Sequence, residues 1–465
     1  MACIVSCERE IVFSYVTAIA CTRSMTVIEL VLTFLSVVIW VVLLVGRGGF
    51  WRINPLLEET EEDAVRRRRG EGETQNISAS SPSSSLPTIC AVIPARNEAD
   101  LLPVTLTSLL SQDYAGNLTI FLVDDHSSDR TGEVAQLIAE GLQKTSQLRI
   151  INAETLPAGW SGKLWALEQG IRQASLLKPD YFLLTDADIQ HDCSNLNRLV
   201  SKAVQENLDL ASIMVKLRCE SFWEKLLIPA FVFFFQKLYP FSWVNNPHKS
   251  TAAAAGGCIL IRRQALESIG GIESIREALI DDCALAGAVK WGNGDMEIGR
   301  QGDAETRRHG NMGKKRYLSS LFPPRHVSSS FPIWLGLSSL TKSLRPYNSL
   351  ETIWDMVART AFTQLNYSLF LLLATLIGMF VVYLASPVGF ILGLVTGNWL
   401  VAGLGLLGWL LMSLAYYPTI KFYECSPLFA FSLPMIGFLY TLMTFDSALR
   451  HWQGRGGGWK GRVYE

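Results

Sequence analysis

The sequence lacks any pairing among its cysteines. Nine cysteines run from Cys3 to Cys425 with no C-x-x-C pair and no Cys/His cluster. That spacing offers neither a zinc site nor a disulfide framework, and reduced thiols point to a cytosolic main domain. An excess of one charge is missing too. The formal net charge is −1, so nothing in it favours nucleic acid as a partner. Charge is nevertheless unevenly spread, because long charge-poor runs occupy both ends of the 465 residues and most acidic and basic residues lie between them. The length allows one large domain with a full core plus further elements.

The charge-poor ends are the first positive feature. From Val27 to Gly46 the only charge is Glu29, and Arg47, Arg52 and Arg66 to Arg69 follow. About 20 apolar residues suit a membrane span, and a basic flank places the chain after it in the cytosol. No small-residue cleavage pattern follows, so an anchor over residues 25–50 is expected rather than a cleaved signal. Residues 1–24 read as an extension, and Met25 is an alternative start. Residues 51–87 include an acidic cluster, four arginines and "SASSPSSSLP", a composition that reads as a flexible linker.

From Thr88 the pattern changes to apolar β-rich runs, "TICAVIPA", "LTIFLVDD", "LRIINAE" and "YFLLTDAD". Amphipathic helical stretches at about 99–112, 129–144 and 163–176 separate them. This alternation predicts an α/β domain over residues 88–365 with a mostly parallel sheet flanked by helices. In such sheets ligands bind beyond the carboxyl ends of the strands. Those ends carry Pro94, Arg96 and Glu98, then Asp124 and Asp125, then Asp186 and Asp188, and one crevice collects them.

Two carboxylates one residue apart, Asp186 and Asp188, repel each other unless something positive compensates them. They suit a hard divalent cation, Mg²⁺ or Mn²⁺, that also binds phosphate. In "VDDHSSDRT" Asp124 or Asp125 can accept hydrogen bonds from a base or ribose, while Ser127, Ser128 or Asp129 caps the next helix. Lys163, after Gly159, Ser161 and Gly162, opens a helix where phosphate can meet both a point charge and backbone N–H groups; a surface lysine is the plain alternative. Asp281 and Asp282 in "ALIDDCALA" are either a helix-start pair favoured by the macrodipole or carboxylates that take a proton from an attacking hydroxyl.

Residues 222–244, "FWEKLLIPAFVFFFQKLYPFSWV", are interrupted by Pro229 and Gln236 and predict a helix lying in the membrane interface. Residues 293–331 show neither helical nor strand period and read as an inserted loop. Apolar segments return at Tyr367 to Ser386, Val388 to Tyr417 and Pro427 to Ser447, giving membrane segments over 366–449 and a basic tail over 450–465. The middle run is too long for one upright span and too short for two. The positive-inside rule favours a cytosolic tail.

The motifs "VIPARNEA", "VDDHSSDRT", "GKLWAL", "TDAD" and "IDDCALA" together resemble the family 2 glycosyltransferases with the A-type nucleotide-diphospho-sugar transferase fold. "LPAGWSGKLWAL", "TAAAAGGCILIRRQAL" and "IWDMVARTAFTQL" bring the chain nearest to the hopene-associated glycosyltransferases, related to ceramide glucosyltransferases. The resemblance implies donor contacts by Pro94, Arg96, Glu98, Asp124, Asp125, Lys163, Asp186 and Arg359, metal ligation by Asp186 and Asp188, and a catalytic base at Asp282 beside Asp281. It further implies a nucleotide-diphospho-sugar donor, a divalent metal and a lipid acceptor, at the inner membrane with the catalytic domain cytoplasmic. Processive members carry Q-x-x-R-W where this chain reads Met356 to Thr360 and keeps only Arg359. Transfer of one sugar is therefore expected over a processive polysaccharide synthase. A silent nucleotide-sugar-binding membrane protein is the third reading.

Overall fold

The computed structural model describes residues 27–58, 86–292 and 331–455, with two short tail strands at Gly458–Trp459 and Arg462–Val463. The N-terminal extension, most of the linker and nearly all of the inserted loop lie outside the described residues.

The expected runs are strands: β1 (Ile89–Ala95), β2 (Leu118–Asp124), β3 (Leu148–Asn152) and β4 (Tyr181–Thr185). Four more complete the sheet: β5 (Ile189–Gln190), β6 (Leu210–Lys216), β7 (Cys258–Arg262) and β8 (Ile333–Ser343). Their order is β3-β2-β1-β4-β7-β6-β8-β5. The β1–β2, β2–β3, β1–β4 and β6–β8 pairs are parallel, whereas β7 runs antiparallel to both β4 and β6. The sheet is therefore mixed, with its parallel half carrying the acidic strand ends. Alternate residues bury against different layers: Ile89, Ala91 and Ile93 on one face, Cys90 and Val92 on the other. Period-two patterning with both faces covered produces that division.

Helix α1 (Val27–Gly46) precedes the sheet, and α2 (Leu102–Leu110), α3 (Thr131–Gly141) and α4 (Gly162–Ser175) link the parallel strands. Helix α4 lies close on β1, because a Cβ at Gly170 would meet Val92 Cγ1 at 2.4 Å. Next come α5 (Asn195–Gln205), α6 (Phe222–Leu238) and α7 (Asp281–Trp291). After β8 follow α8 (Leu350–Ala358), α9 (Leu369–Thr396), α10 (Trp399–Phe422) and α11 (Leu433–Trp452).

Two sequence readings are corrected by the structure, the division of the C-terminal apolar stretch and the start of the linker. Helix α6 runs unbroken through Pro229, with a capping box at Ser221 and Glu224. It packs against α8, α10 and α11, with Ile228, Val232 and Phe233 fully buried. Phe233 is thus taken up by protein contacts, whereas Phe222 is 62 % exposed. The C-terminal apolar stretch divides at Gly397 and Asn398 instead of at Pro387. Pro387 is tolerated in the first turn after a π-helical segment (Phe380–Leu384), whereas Gly397 adopts a left-handed conformation and the Asn398 side chain caps Val401 N. The linker also begins later than expected. Leu57 N donates to Leu337 O at 2.9 Å and Leu337 N to Pro55 O at 2.8 Å, so residues 55–58 are docked on β8.

Among the described residues five helices are long and apolar enough to cross a membrane: Val27–Gly46, Phe222–Val244, Leu369–Thr396, Trp399–Phe422 and Pro427–Trp452. The two ends of the chain meet. Trp40 is buried against Tyr383 with its Nε1 donating to Val382 O at 2.7 Å, and Ser386 Oγ donates to Ser36 Oγ at 2.8 Å. Polar pairs between apolar helices are satisfied inside the bundle.

Candidate active site

The carboxyl ends of β1, β2 and β4 converge as the sequence predicts, and the N-termini of α4 and α7 close the crevice. Lys163 is at the second position of α4, whose Ser161 cap accepts from Leu164 N at 3.3 Å. Its Nζ reaches Asp186 Oδ1 at 3.1 Å and Asp281 Oδ2 at 3.2 Å. Asp282 turns to the adjacent backbone, accepting from Gly256 N at 2.9 Å and Cys283 N at 2.7 Å. The approach is tight: a Cβ at Gly256 would meet Lys163 Nζ at 3.3 Å and Asp282 Oδ2 at 3.4 Å. Pro94, Thr185, Asp186, Asp281 and Asp282 line this pocket with Lys163. Asp281 and Asp282 therefore open a helix, as the first reading expects, and they also line the pocket.

A second cluster adjoins the first. Glu98 and Asp188 are buried and share Arg345, with Nη2 to Glu98 Oε1 at 2.8 Å and Nε to Asp188 Oδ2 at 3.0 Å. Ser343 Oγ also donates to Asp188 Oδ2 at 3.0 Å. Asp125 is buried and pairs with Arg96 Nη1, which is 2.6 Å from Asp125 O and 3.4 Å from its Oδ2. Asp124 accepts from Ser127 N at 2.9 Å, as a βα turn requires, while Asp129 accepts from Ala99 N at 2.9 Å and Thr131 N at 3.0 Å. One loop thus serves as both scaffold and site wall.

Arg345 was not singled out by sequence, because β8 lies beyond the unpatterned 293–331 stretch; the signal was the alternation "IWLGLSSLTKS" followed by R-P-Y. Arg359 stands apart from the carboxylate clusters but within electrostatic reach of Tyr347, which also senses Asp186 and Asp188. It sits at the exposed C-terminal end of α8 and forms no ion pair with a site carboxylate among the described residues. The turn after β8 brings Arg345 and Tyr347 to the strand ends. Glu224 holds that turn in place: fully buried, it accepts from Tyr347 N at 2.8 Å and from Arg218 Nη1 at 2.7 Å.

Charge balance is uneven. Lys163 faces Asp186, Asp281 and Asp282, and Arg345 faces Glu98 and Asp188, so five carboxylates meet two cations. Burial, reinforced by Asp281 and opposed by Lys163, pushes Asp282 up to about 6. Burial also raises Asp186, with Lys163 opposing and Asp188 adding to the rise. Burial alone would lower Lys163, but the three carboxylates outweigh it and hold the ammonium charged.

All-oxygen donors, surplus negative charge and an Asp186 side chain that is 34 % exposed fit a hard divalent cation. Among the described residues no group of three or more His, Cys, Asp or Glu is arranged to hold a metal. The fit is therefore to an ion that takes one or two carboxylates and completes its shell with diphosphate and water. Asp188 is tied to Arg345 and Ser343, which leaves Asp186 the freer ligand.

Arg345→Met tests the second cluster. Removing one partner of a fully buried pair costs about 3–5 kcal/mol, and 32 % exposure of the Arg345 side chain lowers the expected loss to about 2 kcal/mol. Denaturant unfolding measures it; an unchanged midpoint would mean that Glu98 and Asp188 are solvated without Arg345.

Comparison with known proteins follows the same division of the chain. The model of the family "Glycosyl transferase family 2" matches residues 90–270. The protein MJ1222 of Methanocaldococcus jannaschii is 34 % identical over 123 residues, covering 26 % of this chain and 44 % of that one. The beta-monoglucosyldiacylglycerol synthase of Trichormus variabilis is 24 % identical over 219 residues, covering 46 % of this chain and 43 % of the synthase. The chain thus spans less than half the length of these curated relatives. Among solved structures, the mannosyltransferase PcManGT from Pyrobaculum calidifontis aligns with a TM-score of 0.47 at 15 % identity, over 90 % of this chain and 99 % of that one. Residues 90–270 thus match the family 2 glycosyltransferase model, and the mixed sheet flanked by helices has the A-type nucleotide-diphospho-sugar transferase fold.

Proposed function

We propose that the protein is a membrane-bound inverting glycosyltransferase that moves one sugar from a nucleotide-diphospho-sugar, a UDP-sugar foremost, to the hydroxyl of a lipid at the cytoplasmic face of the inner membrane. The observation that carries this reading is Asp282, a carboxylate raised to about 6 beside a pocket with Lys163 and Asp186. A group with that pKa is ionised at neutral pH yet still a competent proton acceptor. The apolar helices packed on the same domain supply the reason for a lipid acceptor, and a relative named for making monoglucosyldiacylglycerol supports glycolipid formation. A hopanoid is one acceptor within that class.

In this mechanism Asp282 takes the proton of the acceptor hydroxyl. The acceptor oxygen forms its bond to the anomeric carbon as the bond to the diphosphate oxygen breaks, and attack from the opposite face inverts the configuration. Lys163 contacts the departing diphosphate at the N-terminus of α4, and Arg345 keeps Glu98 and Asp188 in place. Arg96 and Asp125 shape the wall toward the nucleotide. A divalent cation on Asp186, with Asp188, would neutralise charge on the leaving group.

Nucleoside diphosphate release by the detergent-purified chain, across UDP-, GDP- and dTDP-sugars with lipid extract and with Mg²⁺, Mn²⁺ or chelator, tests the reading. Metal-dependent release from one donor is expected; no release from folded protein would favour a silent binding protein. A pH series adds a second check. Because burial and Asp281 raise Asp282, the base form is depleted below about 6, so kcat/KM should rise with pH through that value and then level. A profile flat from pH 5 to 8 would remove Asp282 from the proton transfer.

A further inference from the structure

Lys290 lies at the opposite end of α7 from Asp282 and has no part in the mechanism above. It is 2 % exposed. Its Nζ donates to the backbone carbonyls of Val244 at 2.7 Å, Thr251 at 2.8 Å, Asn246 at 3.1 Å and Trp243 at 3.4 Å. Burial alone perturbs it, pushing it down to about 8, so among the described residues carbonyl dipoles and no carboxylate balance the charge. A buried ammonium without a counter-ion is costly unless its donors are satisfied, and here the cost is met by one loop. Such a carbonyl shell also suits a small monovalent cation.

That loop connects three places. At one end Ser242 Oγ donates to Gly48 O at 2.6 Å and Arg47 lies over the Trp243 ring, which ties the loop to the end of the N-terminal apolar helix. In its middle Trp291 Nε1 donates to Ser250 O at 3.2 Å, and Asn245 exchanges hydrogen bonds with Leu335 of β8 at 2.7 and 3.0 Å. Beyond Thr251 it runs to Ala254, whose carbonyl meets Cys283 Sγ at 3.7 Å, and to Gly256, whose N–H holds Asp282. Helix α7 is therefore laced to the same segment at both ends.

We propose that Lys290 is a positioning residue, a tethered cation that locks residues 243–251 onto the C-terminal end of α7 and so sets where Asp282 stands relative to Gly256 and Lys163. The lock couples the membrane-proximal end of α1 to the helix that carries the base. This inference rests on the reading of Asp282 as the base.

The test uses the full chain in detergent, with Lys290→Met, Lys290→Ala and Asp282→Asn compared on the donor that gives fastest nucleoside diphosphate release. Lys290→Met is expected to lower turnover by about 10–10²-fold, the scale of a misplaced catalytic group, with nucleoside diphosphate binding unchanged. Lys290→Ala leaves the carbonyl shell open, so ammonium chloride should restore part of its turnover and raise its melting temperature, while tetramethylammonium chloride at equal ionic strength, too large for the shell, should not. Lys290→Met, with the space filled, should show no rescue. Wild-type turnover in Lys290→Met, or a loss in Lys290→Ala that ammonium does not recover, overturns the proposal. If Lys290→Ala unfolds, ammonium present from lysis onward must recover folded chain; failure to do so assigns Lys290 a purely structural role and also overturns it. Transfer surviving in Asp282→Asn would instead defeat the underlying reading, whereas an inactive Asp282→Asn beside a wild-type Lys290→Met defeats only the positioning role.

Discussion

Asp282→Asn is expected to lower sugar transfer by about 10²–10⁴-fold, the range contributed by a positioned general base, while nucleoside diphosphate binding stays nearly unchanged. The amide keeps the shape of the carboxylate, and its one oxygen can still accept from Gly256 N, the bond seen at 2.9 Å for Asp282, while the bond from Cys283 N at 2.7 Å is lost. It also loses the capacity to take a proton. One negative charge also leaves the neighbourhood of Lys163, and the repulsion with Asp281 that this relieves offsets in part the lost bond from Cys283 N. Steady-state release assays with calorimetric titration of nucleoside diphosphate separate the two effects. Transfer within about tenfold of the parent would place the base elsewhere.

Lys163→Met has the larger expected effect on stability as well as a loss of transfer. Its ammonium stands between Asp186, Asp281 and Asp282 with a side chain 19 % exposed, and removing one side of such a cluster costs about 3–5 kcal/mol. The sign of the pH dependence follows from linkage. Burial already raises Asp186 and Asp282 above their ordinary value of 3.8, and losing Lys163 raises them further. A carboxyl with a raised folded-state pKa binds more protons folded than unfolded, so stability falls as pH climbs from its unfolded value through its folded one. The melting-temperature gap between parent and variant should therefore widen from pH 5 to pH 8. A gap that stays constant would mean that Lys163 acts through packing alone. Transfer should drop by about 10²–10³-fold, the scale of losing one electrostatic donor at a developing charge.

The parallel half of the fold was legible because each of its strands is a short apolar run ending in polar residues. β1, β2 and β4 end within a residue or two of the positions that the periodicity predicts, and Lys163, Asp186, Asp281 and Asp282 share one pocket. The antiparallel β7 and the strand β8 between β6 and β5 were not legible as sheet partners, since pairing direction is set by tertiary connection and leaves little mark on an apolar run. Arg345 was lost with β8. The contact between Trp40 and Tyr383 joins positions more than three hundred residues apart, and no local pattern announces it. Gly397 followed by Asn398 was a readable stop and start, but Pro387 is the stronger apparent breaker, and its place in a first turn shows only once the helix boundary is known.

The central claim is that this site places one sugar on a lipid. Its most direct test is to incubate the purified chain with sugar-labelled donor and membrane lipid extract, then analyse the organic phase by mass spectrometry. The account predicts a lipid carrying a single added sugar in inverted anomeric configuration, formed by the parent and absent with Asp282→Asn. A ladder of many sugars, or no labelled lipid from protein that is folded and binds nucleoside diphosphate, would contradict it.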